Sequence, residues 1–328
     1  MRLDAATGIV VVGAGDPRPE PEALSTFLER WVEDGRRYPV SGLRKPFLRA
    51  RAKMRAHRRL EEAQRLVSLD SPFLRVAGAQ ANGVAEKLGC EGYAVAAVGG
   101  PLAAEVVPLM RAEGMRRAVV VAADPLSIRG HRLSERAQFE EAWLSSGGSR
   151  DELVFVDDYE QDPAWLSALV SLAKEGGPKD AGRAAWLFVA SGLPKVLMRT
   201  EQDYPERSRA LAEVLAENLG ISAGRWGLAY LDPLVGERGL APAPADLIET
   251  WAADSIRDVV VFPFSWGSDR LETLHRVDIE LARQLRERAM RMFRIPCLND
   301  HPEFIDALSR IVLDTSTETS ASMGGPTP

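Results

Sequence analysis

Glu272 and His275 stand three residues apart, and Glu280 follows two turns beyond Glu272. On a helix, residues at i and i+3 share a face. A carboxylate and an imidazole would then sit side by side, as in the Glu-x-x-His half-sites of carboxylate metal centres. Glu272, His275 and Glu280 are therefore candidate ligands for a divalent metal. A solvated helix face with a plain Glu–His contact fits the same spacing. Arg276 and Glu280, four residues apart, are expected to form an ordinary surface ion pair. The remaining histidines are His57, His131 and His301.

The segment GAGDPRP, which holds Gly13 and Gly15, resembles the start of a dinucleotide fingerprint. Arg18 occupies the place of the third glycine, and Pro17 removes an amide that a phosphate-cradling turn would use. No P-loop, G-x-S-x-G elbow or H-E-x-x-H pair occurs, so hydrolase readings lack support. Cys90 and Cys297 are too few for a disulfide framework, a four-thiolate zinc site or an iron–sulfur cluster. The segment 44–65 is helical in pattern and strongly basic, with Arg49, Arg51, Lys53, Arg55, Arg58 and Arg59. It reads either as a solvated face or as a site for an anionic partner.

These residues need a scaffold, and the apolar pattern supplies one. Short β-branched runs predict strands near 8–13, 93–98, 117–123 and 153–157, then near 184–190, 226–231, 258–264 and 292–297. Runs without polar alternation suit strands buried on both faces, the habit of parallel sheets. Helical periodicity fills the gaps, as at 103–113, 205–219, 244–253 and 268–290. Strand and helix in alternation predict a doubly wound α/β architecture. Two sets of four strands also suit 328 residues, about the length of two domains. The stretch 174–183 (KEGGPKDAGR) is the best linker candidate, and 314–328 (DTSTETSASMGGPTP) is expected to be a disordered tail.

At 45% hydrophobic and 27% charged, the composition is that of a globular protein, and a net charge of -6 gives no bulk attraction to nucleic acid. No signal peptide or membrane span is expected, and a reducing cytoplasm is the expected compartment.

Several segments, taken in order, resemble the ferrochelatases, which insert ferrous iron into a porphyrin late in haem synthesis. DYPERSRALAEVLAENLGI at 203–221 is similar to that family's Asp-Pro-Tyr-Pro-Glu helix. GSDRLETLHRVDIE at 267–280 resembles its Ser-Asp-His-x-Glu-Thr-Leu-Tyr signature, and CLNDHPEFIDAL at 297–308 its closing segment. GAGDPRPEPEALSTFLER resembles the opening loop and helix, DSPFL at 70–74 the Gly-Ser-Pro-Leu element, and YEQDPAWLSAL a Pro-x-Phe-Ile helix. The resemblance implies two Rossmann-like, chelatase-like domains, each with a four-stranded parallel sheet and with a porphyrin cleft between them. The first would span 1–160, joined by a C-terminal helix at 300–313, and the second 161–299. Gly15, Pro17, Ser71, Pro72, Gly192, Leu193 and Pro194 would contact the substrate, and Glu272 is the retained cleft carboxylate.

The catalytic match is less complete. The family's histidine lies in Ser-Ala-His-Ser-Leu-Pro; here the segment reads VASGLP, with Ser191 in its place and Gly192 after it. An imidazole takes a proton at neutral pH and a serine hydroxyl does not. Arg276 stands at a usually acidic position, where it would repel an incoming Fe²⁺, Ala14 replaces one branch's metal-ligating tyrosine, and the aromatic wall is thinned. The expected function is therefore tetrapyrrole binding linked to haem synthesis, with iron insertion lost or weak. The alternative is an active ferrochelatase whose rearranged site uses Glu272 and His275. The expected ligand is porphyrin or haem, with no covalent cofactor. An active paralogue or a second copy of the chain is the expected protein partner.

Overall fold

Strand β1 (Thr7–Gly13) is buried on both faces: Ile9 and Val11 point into one apolar layer, Val10 and Val12 into another. Each such side chain taken from water contributes about 1.5–3 kcal/mol, so an uninterrupted apolar run is the stable sequence for this position. In the computed structural model, residues 2–18, 20–43, 45–66, 71–178 and 183–323 are described.

The first half contains β1, α1 (Pro21–Glu33), α2 (Lys45–Leu66), α3 (Pro72–Leu88), β2 (Glu91–Ala96), α4 (Ala103–Ala112), β3 (Arg117–Ala122), α5 (Arg129–Ser145), β4 (Leu153–Val156) and α6 (Pro163–Gly176). The second contains β5 (Ala185–Ala190), α7 (Tyr204–Asn218), β6 (Trp226–Tyr230), α8 (Pro244–Ala253), β7 (Asp258–Phe262), α9 (Leu271–His275), α10 (Ala282–Glu287), β8 (Arg291–Arg294) and α11 (Pro302–Met323). The sheets are parallel, ordered β2-β1-β3-β4 and β6-β5-β7-β8. Every predicted strand has its counterpart, displaced by at most a few residues.

Because the order reverses about the first strand of each sheet, a crevice opens at the carboxyl ends of β1 and β3, and another at those of β5 and β7. The sheets share one apolar layer. Ile9 and Val121 join Trp186, Phe188 and Phe262 there, with Phe73 of α3, Trp165 of α6, Leu211 of α7 and Phe304 of α11. That shared core fixes the two halves face to face.

Two expectations change. The tail expected to be disordered from 314 is helical to Met323, while 324–328 lies outside the described residues. Phe304, Leu308, Ile311 and Val312 anchor α11 in the core. Beyond them the hydroxyls of Thr315, Ser316, Thr317 and Thr319 donate to the carbonyls four residues back, so small polar residues end in a bonded helix. The predicted helix at 268–290 begins at Leu271 and winds as a π-helix over Arg276–Leu281. The basic segment forms α2, and four of its cations, three of them well exposed, pair with carboxylates of this same chain. Arg49 pairs with Glu33, Lys53 with Glu29 at 3.0 Å, and Arg51 and Arg55 with Glu237 at 3.2 and 3.1 Å. Of the linker candidate, residues 179–182 lie outside the described residues, as do Asp70 and Arg44.

Candidate active site

The two crevices face each other and enclose one cavity of about 60 Å³. Its walls come from the carboxyl ends of four strands. Ala14 follows β1; Asp124, Leu126, Ser127 and Ile128 follow β3; Ser191, Gly192 and Pro194 follow β5; Ser265 and Trp266 follow β7. Trp31 of α1, His131 and Glu135 of α5, the 233–235 loop, Arg270 and Glu272 complete the lining.

Ser191 sits where its backbone amide donates to Ser265 Oγ (3.1 Å) and its carbonyl accepts from Tyr204 Oη (3.0 Å). Gly192 is required by a close approach: a Cβ there would lie 1.7 Å from the Leu231 carbonyl oxygen. Glu272 lies in the first turn of α9, and its carboxyl is pushed up by burial, against the opposing pull of the Arg276 and Arg270 guanidiniums. Arg270 is itself buried and paired with Asp124.

The opposite wall holds His131 and Glu135, one turn apart on α5 and so on one face. The His131 ring meets Trp31 edge-on, at 5.2 Å between centroids and 78° between planes. Its Nε2 is shut away from solvent and has no hydrogen-bond partner. An unpaired buried polar atom costs about 1–3 kcal/mol, so such an atom needs a reason. Burial first, then the Arg37 and Arg270 charges, holds its pKa well below the usual range, so the ring is neutral at neutral pH. Glu135 accepts from Arg37 Nη2 at 2.9 Å, yet burial raises its carboxyl to about 7.

The start of α5 is pinned from the other half of the chain. Both carboxylate oxygens of buried Glu201 accept backbone amides, of Arg129 and of Gly130, each at 2.8 Å. At Gly130 a Cβ would lie 2.4 Å from the Arg36 carbonyl oxygen, so only glycine lets α5 close onto that loop. His131 is the next residue, and these contacts set its place.

Of the residues expected from the sequence, the cavity gathers Ser191, Gly192, Pro194 and Glu272. Gly15 and Pro17 do not line it; they flank Asp16, which is buried and bonded to the backbone of Phe73 and Leu271. Ser71 and Pro72 open α3, with the Ser71 side chain accepting from the Leu74 amide at 3.4 Å. Leu193 is core.

The metal set Glu272, His275 and Glu280 does not assemble. His275 is buried away from the cavity, with Nδ1 3.9 Å from Glu280 Oε1. The π-winding over Arg276–Leu281 brings i and i+5 together and so sets Glu280 beside His275, while Glu272 lines the cavity and the other two do not. Among the described residues, no group of three or more His, Cys, Asp or Glu side chains is arranged to hold a metal ion. Arg276 does pair with Glu280, at 3.2 Å, but with only 13% of its side chain exposed the pair is not a surface one. Arg276 also donates to the Asp232 carbonyl at 3.3 Å, and it does not line the cavity.

The cavity wall carries the imidazole of His131. No motif points to His131, Glu135, Asp124 or Trp31. The available signal is position, because residues just after β3 of a doubly wound half fall at the crevice.

Among the described residues, no helix is long and apolar enough to cross a membrane. A model of the Ferrochelatase family matches residues 6–316. The ferrochelatase of Gloeothece citriformis is 25% identical over 326 residues, covering 95% of this chain and 83% of that one. That of Geotalea uraniireducens is 24% identical over 315 residues, covering 94% and 98%. Among solved structures, SirB from Bacillus subtilis with Fe³⁺ matches over 98% of each chain, with a TM-score of 0.57 and 12% identity, a likeness of fold. Matched over 6–316 by the family model, and carrying two parallel sheets whose crevices face one another, the chain belongs to the ferrochelatase family.

Proposed function

We propose that the protein binds a tetrapyrrole between its two halves and inserts a divalent metal ion, Fe²⁺ in the family's reaction, into it. The observation that carries this reading is the single cavity formed by both crevices, with the half-buried carboxyl of Glu272 in its wall. Insertion exchanges two pyrrole protons for one dication. A carboxylate in a low-dielectric site favours the approaching cation and can take up a departing proton.

The cavity, at about 60 Å³, is closed relative to an organic-ligand pocket of roughly 300–1,000 Å³. Entry of a macrocycle requires the α1–α2 hairpin, which packs over Val235 and Leu271, to lift. Its outer ties are the exposed pairs of Arg51 and Arg55 with Glu237, and exposed pairs of this kind contribute only about 0–1 kcal/mol each.

A binding-only protein is the second reading, favoured by Ser191 in the place of the family's histidine. One experiment tests both. The protein is titrated with a free-base porphyrin under anaerobic conditions, and Fe²⁺ is then added while the absorption bands are followed. Conversion to the metalloporphyrin spectrum at a rate above the protein-free control supports insertion. Tight binding without conversion supports the second reading, and absence of binding removes both.

A further inference from the structure

We propose that His131 Nε2 is the base that takes a pyrrole proton during metal insertion, replacing from the first half of the chain the imidazole that Ser191 lacks in the second. This rests on the chelatase reading above. His131 lines the same cavity as Ser191 and Glu272, and its enclosed Nε2 has no partner within the protein. The ring borders the cavity, and its unpaired Nε2, closed to water in this state, gains a partner only when the opening that admits the macrocycle uncovers it; the ring is meanwhile held in place. Trp31 fixes its plane, and the Glu201 carboxylate and the Gly130–Arg36 contact fix the helix that bears it.

The chemistry balances without a redox step. As the dication settles on the ring nitrogens, two N–H bonds break and each electron pair becomes a nitrogen–metal bond. One proton goes to His131 Nε2, with its ring already protonated at Nδ1, and the other to the Glu272 carboxylate. The dication's two charges thus pass to two protons held on the protein, and the cavity returns to its starting charge when both protons leave. The neighbouring Arg37 and Arg270 charges disfavour a lasting imidazolium, which speeds return of the proton. Glu135, one turn further along α5 on the same cavity wall, is placed to receive it.

The test is Zn²⁺ insertion into a free-base dicarboxylic porphyrin, comparing wild type with His131→Ala and the volume-preserving His131→Asn. Porphyrin affinity is measured separately by fluorescence quenching, and folding by melting temperature. Loss of a positioned base lowers kcat by about 10²–10⁴-fold, with porphyrin affinity expected to stay within about threefold. Added free imidazole should restore part of the rate to His131→Ala but none to wild type. Folded variants that turn over within about threefold of wild type overturn the assignment and leave the chelatase reading standing. A wild-type protein that inserts no metal overturns that reading, and this one with it.

Discussion

Asp16 and Leu271, 255 residues apart in sequence, are joined by a hydrogen bond of 3.1 Å from the Leu271 amide to Asp16 Oδ1. The other carboxylate oxygen accepts the Phe73 amide at 3.0 Å. One buried side chain of the opening loop thus satisfies amides in the first turns of α3 and α9, which would otherwise have no partner. Since α9 carries Glu272, Asp16 sets the position of the cavity's carboxyl without touching the cavity.

Replacing Asp16 by alanine leaves both amides buried and unpaired. Bonds to a carboxylate contribute about 1.5–3 kcal/mol each, offset in part by relief from burying the charge. Asp16→Ala is expected to lose about 2–4 kcal/mol in urea unfolding, with metal insertion falling alongside. An unchanged midpoint would mean that the contact is not a restraint.

Glu135 gives the protein a pH dependence of defined sign. Its carboxyl is held at about 7 in the fold against a reference of 4.5, so between those values the folded state holds a proton that the unfolded state has lost. Stability contributed at this position therefore falls as pH rises from about 4.5 to about 7, by about 3 kcal/mol in all. Glu135→Gln should flatten that part of the profile. Urea melts at pH 5 and pH 8 on both proteins provide the check, and parallel profiles would refute the assignment.

Gly192→Ala would place a methyl group 1.7 Å from the Leu231 carbonyl oxygen, a backbone atom of a residue whose own amide is tied to the Ala190 carbonyl at 3.0 Å. No rotamer relieves that clash, so a loss above about 2 kcal/mol is expected. Thermal unfolding decides it. A melting temperature equal to wild type would show that the two loops can separate at no cost.

The strands were legible because their burial on both faces writes itself into the sequence as unbroken apolar runs such as Ala118–Ala123. Glu272 was legible because its surroundings in the sequence keep a recognisable order. His131 was not, since nothing local distinguishes it: its role depends on Trp31, Glu201 and Arg270, which are distant in the chain. The expected metal set of Glu272, His275 and Glu280 failed because a π-turn, invisible to a 3.6-residue period, sets Glu280 beside His275, and of the three only Glu272 borders the cavity. The tail was misjudged on composition, which records neither back-bonded hydroxyls nor the docking of α11.

The meeting of two crevices also bears on how a family such as this can be surveyed. Four strand ends converge on one small volume, and each loop projects side chains into it from a different direction. A proton acceptor mounted on α5, the helix that follows β3, borders the same space as one mounted after β5. What inheritance must preserve is thus an address in space, not a letter at one alignment column. A search keyed to histidine at the position of Ser191 would discard this chain as inert, whereas a search for any imidazole bordering the shared volume would retain it.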